Sequence, residues 1–147
     1  MPPAPVRKTV QVRLAPADAF DLFTRQMSRW WPLARYSCGG ADAERVEFDL
    51  RAGGQVVEHT KSGQRHVWGT VSAWEPPQRF AMTWHPAHAP EEATHLLVEF
   101  AALAGGGTEV RLTHDGWETR GQQARDSYDG GWNAVLALYA VLAEKTT

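Results

Sequence analysis

The chain has 147 residues, enough for one hydrophobic core and a tight fit for two. Its content of 43% hydrophobic and 22% charged residues is ordinary for a soluble globular domain. Fifteen basic against seventeen acidic residues give a formal charge of −2 with no basic block, which excludes a dedicated nucleic-acid binder living on phosphate neutralisation.

The opening Met1-Pro2-Pro3-Ala4-Pro5 lacks the apolar core of a signal peptide. No apolar run approaches the ~18 residues of a membrane span. The one cysteine, Cys38, allows no intramolecular disulfide. A cytoplasmic protein with no membrane partner is the expectation. From Val6 to Leu14 apolar and polar residues alternate, the pattern of a half-buried strand. Pro16 opens a short helix whose apolar set is Ala19, Phe20, Leu22 and Phe23, since a first turn tolerates the missing N–H. A second short helix is predicted over Arg25–Trp30, stopped by Pro32.

Six strands follow in the pattern: Glu44–Leu50, Gln55–Thr60, His66–Trp74, Arg79–Trp84, Thr94–Ala102 and Thr108–His114. Glycine-bearing turns separate most of them, and Pro76-Pro77 breaks the chain before Arg79. From Gln122 to about Glu144 the period becomes helical, with Trp132, Val135, Leu136, Tyr139 and Leu142 on one stripe. Gly130-Gly131 falls inside this stretch. Because each glycine costs about 1 kcal/mol against alanine, the pair predicts either a break or a close approach of helix backbone to sheet. Short turns between consecutive strands make antiparallel pairing the simplest topology, and the long helix must bury its stripe on that sheet. The class is α+β, in a single domain over residues 1–147.

Particular residues in this order resemble a known family. Trp30-Trp31-Pro32 follows the first helix, and Phe48-Asp49-Leu50-Arg51-Ala52-Gly53-Gly54 forms a strand and turn ending in paired glycines. Trp68-Gly69-Thr70-Val71 leads to Trp74-Glu75-Pro76-Pro77-Gln78-Arg79-Phe80 and Trp84. The segment from Gly107 to Trp117 carries Thr113-His114-Asp115-Gly116-Trp117, and Gly131-Trp132 with Val135-Leu136 opens the final helix. Together these resemble the activator-of-Hsp-90-ATPase homologues of the START-like (SRPBCC) superfamily. That resemblance implies a helix-grip fold: a curved antiparallel sheet of about seven strands around a long C-terminal helix, two short helices after the first strand, and a cavity. It leaves function open, because such relatives include chaperone activators, polyketide cyclases and many uncharacterised proteins.

Seven Trp in so short a chain either fill a core or line a pocket, and each indole N–H wants a partner. Trp31, Phe48, Trp68, Trp84, Trp132 and Leu136 are the candidate apolar lining of a cavity between sheet and helix. His114 has the phase of an inward residue at the end of an apolar strand, where a neutral imidazole could bond a ligand or act as base; a histidine satisfied by backbone or water is the competing reading. Of Glu58 and His59, adjacent on a strand, at most one faces inward.

His85, His88 and His95 with Glu91 and Glu92 have the chemistry for zinc, but the segment contains Pro86 and Pro90, matches no helical metal motif and reads as an exposed loop. No metal and no cofactor is therefore expected. Cys38, before Gly39-Gly40, reads as a small buried or rim residue rather than a nucleophile.

The first function expected is binding of a small apolar or aromatic molecule. An enzyme of the cyclase, dehydratase or hydrolase kind, using His114 with Glu58 or Tyr139, is the second. A chaperone partner ranks last, because the chain carries no separate N-terminal segment like that of the eukaryotic activators. An outward-facing Trp74 would leave apolar surface for a second copy, so a homodimer is also considered.

Overall fold

A computed structural model describes residues 2–146. Strand β1 spans Val6–Val12 and helix α1 Pro16–Phe23; then come β2 (Ala43–Phe48), β3 (Gln55–Thr60), β4 (Arg65–Glu75), β5 (Arg79–Trp84), β6 (Thr94–Ala102), β7 (Thr108–Asp115) and α2 (Gln122–Lys145). The seven strands form one sheet in the order β1-β7-β6-β5-β4-β3-β2, antiparallel throughout. The sheet curls around α2, the helix-grip arrangement that the family resemblance implies.

The curl has an identifiable seat in β4. Its first half, to Thr70, pairs with β3, and its second half, from Val71, pairs with β5. Register shifts mark both junctions, and bulges of this kind bend a strand and increase its twist. Gly69 lies near the end of the first half, paired with Val56. A Cβ there would fall 1.7 Å from the carbonyl oxygen of Thr83, so only glycine admits the neighbouring backbone at this distance.

The buried face of α2 is Trp132, Val135, Leu136, Tyr139 and Ala143, spaced at three and four residues as an amphipathic helix requires. The Tyr139 hydroxyl donates to the carbonyl of Ala19 on α1 (2.8 Å), and Lys8 of β1 pairs with Asp129 (2.9 Å). The helix runs unbroken through Gly130 and Gly131. Neither glycine touches the sheet: Gly130 has open space beside it, and Gly131 faces Tyr36 with 4.0 Å between its would-be Cβ and the ring.

Two expectations are refined. The second short helical piece, expected over Arg25–Trp30, is a single 3₁₀ turn at Met27–Arg29. The Trp30 indole N–H takes Leu22 O (2.8 Å), the carbonyl a continued helix would offer to Gln26, and the Gln26 N–H reaches back to Asp21 O instead (3.1 Å). Trp74 is half-buried rather than outward, its ring 5.0 Å from Phe20 and 6.3 Å from Phe80. Among the described residues, the large apolar side chains left exposed are Tyr36, Leu50, Leu138 and Val141.

Candidate binding cleft

The inward residue of β3 is Glu58, which is fully buried, while His59 turns outward to Glu47 (2.9 Å). Burying a carboxyl group is tolerable only with its hydrogen bonds made. Oε1 accepts from the backbone N–H of Cys38 (2.8 Å) and from the indole of Trp68 (2.9 Å), and Oε2 accepts from the N–H of Gly39 (2.7 Å). Glu58 thereby fastens the loop that connects Trp31 to β2. Beside it the Cys38 thiol is half-buried, and burial together with the Glu58 charge raises its pKa, which disfavours the nucleophilic thiolate.

His114 is also fully buried. The Trp132 indole donates to Nδ1 (3.0 Å), which puts the ring proton on Nε2, from where it reaches Thr94 Oγ1 (2.6 Å). The Thr94 hydroxyl in turn donates to Trp84 O (3.2 Å). Burial lowers the imidazole pKa to about 3, with Coulombic interactions from Arg120 and His95 adding to it. Both ring nitrogens are thus committed and the ring is neutral, which makes His114 an acceptor for Trp132 rather than a free base. Tyr139 lies in a different part of the interior; its hydroxyl is bonded to Ala19, and burial raises its pKa.

Trp31, Trp68, Trp84 and Trp132 pack on one another. The Trp31 ring is 5.1, 5.9 and 5.8 Å from Trp68, Trp84 and Trp132, and Trp84 is 5.5 Å from Trp68 and 5.6 Å from Trp132. They fill the middle of the space between sheet and helix. What stays open is a cleft of about 290 Å³ above them, floored by Trp31, Trp84, Trp132 and Val135. Arg35, Tyr36, Ser37 and Cys38 form one wall, Pro86 and Ala87 another, and Ser127, Tyr128 and Gly131 of α2 the third. The surface is mostly apolar, and its volume is near the lower end of the ~300–1,000 Å³ range of small-molecule sites. A larger groove of about 740 Å³ runs past Glu47, Asp49, Arg51 and Arg65, but it is open and polar.

Ala87 in the second wall has φ +64°, a left-handed conformation that costs a non-glycine residue roughly 1–2 kcal/mol. Strain of this kind concentrates at ligand clamps and active sites. Of the expected lining, Trp31, Trp84 and Trp132 reach the cleft. Phe48 packs on Phe80 at 5.7 Å, Leu136 is buried in the core, and Trp68, Glu58 and His114 stand behind the cleft as support. His85 is buried rather than loop-exposed, its Nδ1 3.1 Å from His88 O. His88 lies 3.7 Å from Glu92, and among the described residues no group of three His, Cys, Asp or Glu is placed to hold a metal ion.

Arg35, Tyr36, Ser127 and Tyr128 were missed by sequence reasoning. Tyr128 had a signal, since it stands four residues before Trp132 on the same helix face. The wall residues Arg35 to Ser37 belong to an irregular loop and had none.

The sequence model of the Activator of Hsp90 ATPase homolog 1-like protein family matches residues 13–144. The chain belongs to this family. Among solved structures, an anthrahydroquino-Gama-pyrone synthase, Txn09, complexed with SUM, is 27% identical, with TM-score 0.65 over 95% of this chain and 96% of that one. Protein MLL2253 from Mesorhizobium loti is 17% identical with TM-score 0.74, covering 98% of this chain and 99% of that one. The Aha1 dimer from Colwellia psychrerythraea is 14% identical with TM-score 0.72, covering 96% of each. No curated protein matches the chain. Within the family's fold, no helix among the described residues is long and apolar enough to cross a membrane.

Proposed function

We propose that this protein binds a small flat aromatic molecule in the cleft between α2 and the loop that follows Trp31. The observation that carries the reading is the floor of three interlocked indoles, Trp31, Trp84 and Trp132, at the base of a 290 Å³ opening. A slot of this size suits two or three fused rings better than a lipid chain, and rings stack on rings with a gain of ~0.5–1.5 kcal/mol beyond area burial. The floor is held rigid by hydrogen bonds from each indole, so little ordering remains to be done when a ligand arrives. Cys38, free and half-buried, fits a reducing cytoplasmic setting.

A second reading, as an enzyme on an aromatic polyketide-like skeleton, is favoured by the relative at 27% identity that is named a synthase. In this chain the reaction would have to use groups on the cleft itself, such as the Tyr128 hydroxyl, because His114 and Glu58 are committed to structural hydrogen bonds. Native mass spectrometry of gently purified protein, paired with tryptophan-fluorescence titration by naphthalene- and anthraquinone-based compounds, tests the first reading. Saturable quenching with a bound mass that disappears on denaturation is expected. Absence of quenching by every fused-ring compound, with normal folding, would overturn it.

A further inference from the structure

The polar groups around the cleft are one-sided. All four indole N–H groups near it are spent inside the protein: Trp31 on Tyr36 O (3.0 Å), Trp68 on Glu58, Trp84 on the Tyr128 hydroxyl oxygen (3.1 Å) and Trp132 on His114. The Ser37 hydroxyl donates to Leu33 O. The indoles therefore offer a ligand their faces and edges but no hydrogen bond. What remains to read a ligand's polar atoms is Arg35, Ser127, the Cys38 thiol and the hydroxyls of Tyr36 and Tyr128.

These groups are biased toward donation. Arg35 is exposed at the lip, 5.9 Å over the Tyr36 ring, and a guanidinium has donors only. It makes no ion pair with another described residue. The Tyr128 oxygen already accepts the Trp84 N–H, which leaves its own proton to give. No Asp or Glu lines the cleft; Glu58 lies behind Cys38 with both oxygens engaged.

We infer that the occupant is an aromatic acid or phenolate, its rings on the indole floor and its anionic oxygen facing Arg35 and the Tyr128 hydroxyl. This deepens the aromatic-binding reading and rests on it. An organic cation, which indole faces also attract, would meet Arg35 with no carboxylate to offset it.

The test compares 2-naphthoate, 2-naphthamide and 2-naphthylmethylammonium, one ring system in three charge states, binding to the full chain at moderate salt. Naphthoate binds tightest, about two- to fivefold over the amide because the charge contact is exposed, and the ammonium binds weakest. Arg35→Glu, a change at an exposed position checked by thermal melting, reverses the order of the two charged probes. Tyr128→Phe weakens naphthoate and naphthamide together, since both present a carbonyl-type oxygen. Equal affinity for all three probes, or preference for the ammonium, would overturn the assignment of an acid while leaving aromatic binding intact. Failure of all three, and of the anthraquinone-based compounds, to bind would overturn both.

Discussion

The interior has two ends, both lined with rings, that are held together differently. Around α1, Phe20, Phe23, Phe80 and Phe100 pack at centroid distances of 5.0 to 6.1 Å, joined by Trp30 and Tyr139. The polar atoms at this end go to backbone carbonyls: Trp30 to Leu22 and Tyr139 to Ala19. Around the cleft the indoles of Trp68, Trp84 and Trp132 go instead to side chains, on Glu58, Tyr128 and His114. A ring bonded to backbone needs the right volume and a carbonyl that the fold supplies in any case. A ring bonded to a side chain needs a particular partner, itself held in place. The first end is a packing solution, and the second is a positioned surface.

Two truncations of similar size separate the ends most sharply. Phe23→Ala, at a fully buried ring, should cost about 3–5 kcal/mol in chemical denaturation. Glu58→Ala leaves the N–H groups of Cys38, Gly39 and Trp68 without their acceptor, and at about 1–3 kcal/mol for each unsatisfied buried group it should cost about 3 kcal/mol or more. The naphthoate titration tells them apart: Phe23→Ala should leave affinity unchanged, whereas Glu58→Ala, by releasing the cleft wall, should weaken it about tenfold or more. Equal effects on affinity would erase the distinction between the two ends.

Acid is the next largest probe, and at the cleft end it acts through His114. A histidine in the unfolded chain takes up its proton near pH 6.5, whereas His114 in the fold takes it up only near pH 3. Between those values the unfolded state binds more protons. Stability from this group is therefore complete above pH 6.5 and falls as pH drops toward 3. The loss at pH 5 relative to pH 7 is about 2 kcal/mol. In denaturation curves collected over pH 6 to 4, His114→Gln should remove about one proton from the slope; an unchanged slope would show that His114 does not titrate with unfolding. The smallest effect is expected at the packing end. Tyr139→Phe loses one hydrogen bond to Ala19 and should cost about 0.5–1.5 kcal/mol with no change in probe binding.

The regular elements were legible in the sequence because their periods are. Gln55–Thr60, Arg79–Trp84 and Thr94–Ala102 have the bounds that alternation predicts, and α2 extends one residue past its expected end. The stripe from Trp132 to Tyr139 named the buried face of α2 in advance. The cleft was less legible. Alternation tells that Trp68 and Trp84 point inward, but not that they would reach each other and fill the space. Whether Glu58 or His59 turned inward could not be read, since a carboxylate enters a core only when donors from a distant loop meet it, here Cys38 and Gly39. His114 was found as an inward polar residue, while its role as an acceptor for Trp132 depends on how α2 crosses β7.

The attachment of the wall has a consequence for how such a scaffold changes over time. The backbone hydrogen bonds of residues 33–39 either close within the segment from Trp31 onward or end on Glu58. No ladder of the sheet runs through this stretch. Insertions, deletions and substitutions between Pro32 and Ser37 can therefore accumulate without disturbing strand register, provided one carboxylate still finds two amides. Under the proposed binding role, selectivity is exchangeable as a cassette: grafting this segment from one relative onto another should move ligand preference with it and leave the melting behaviour of the recipient nearly as it was.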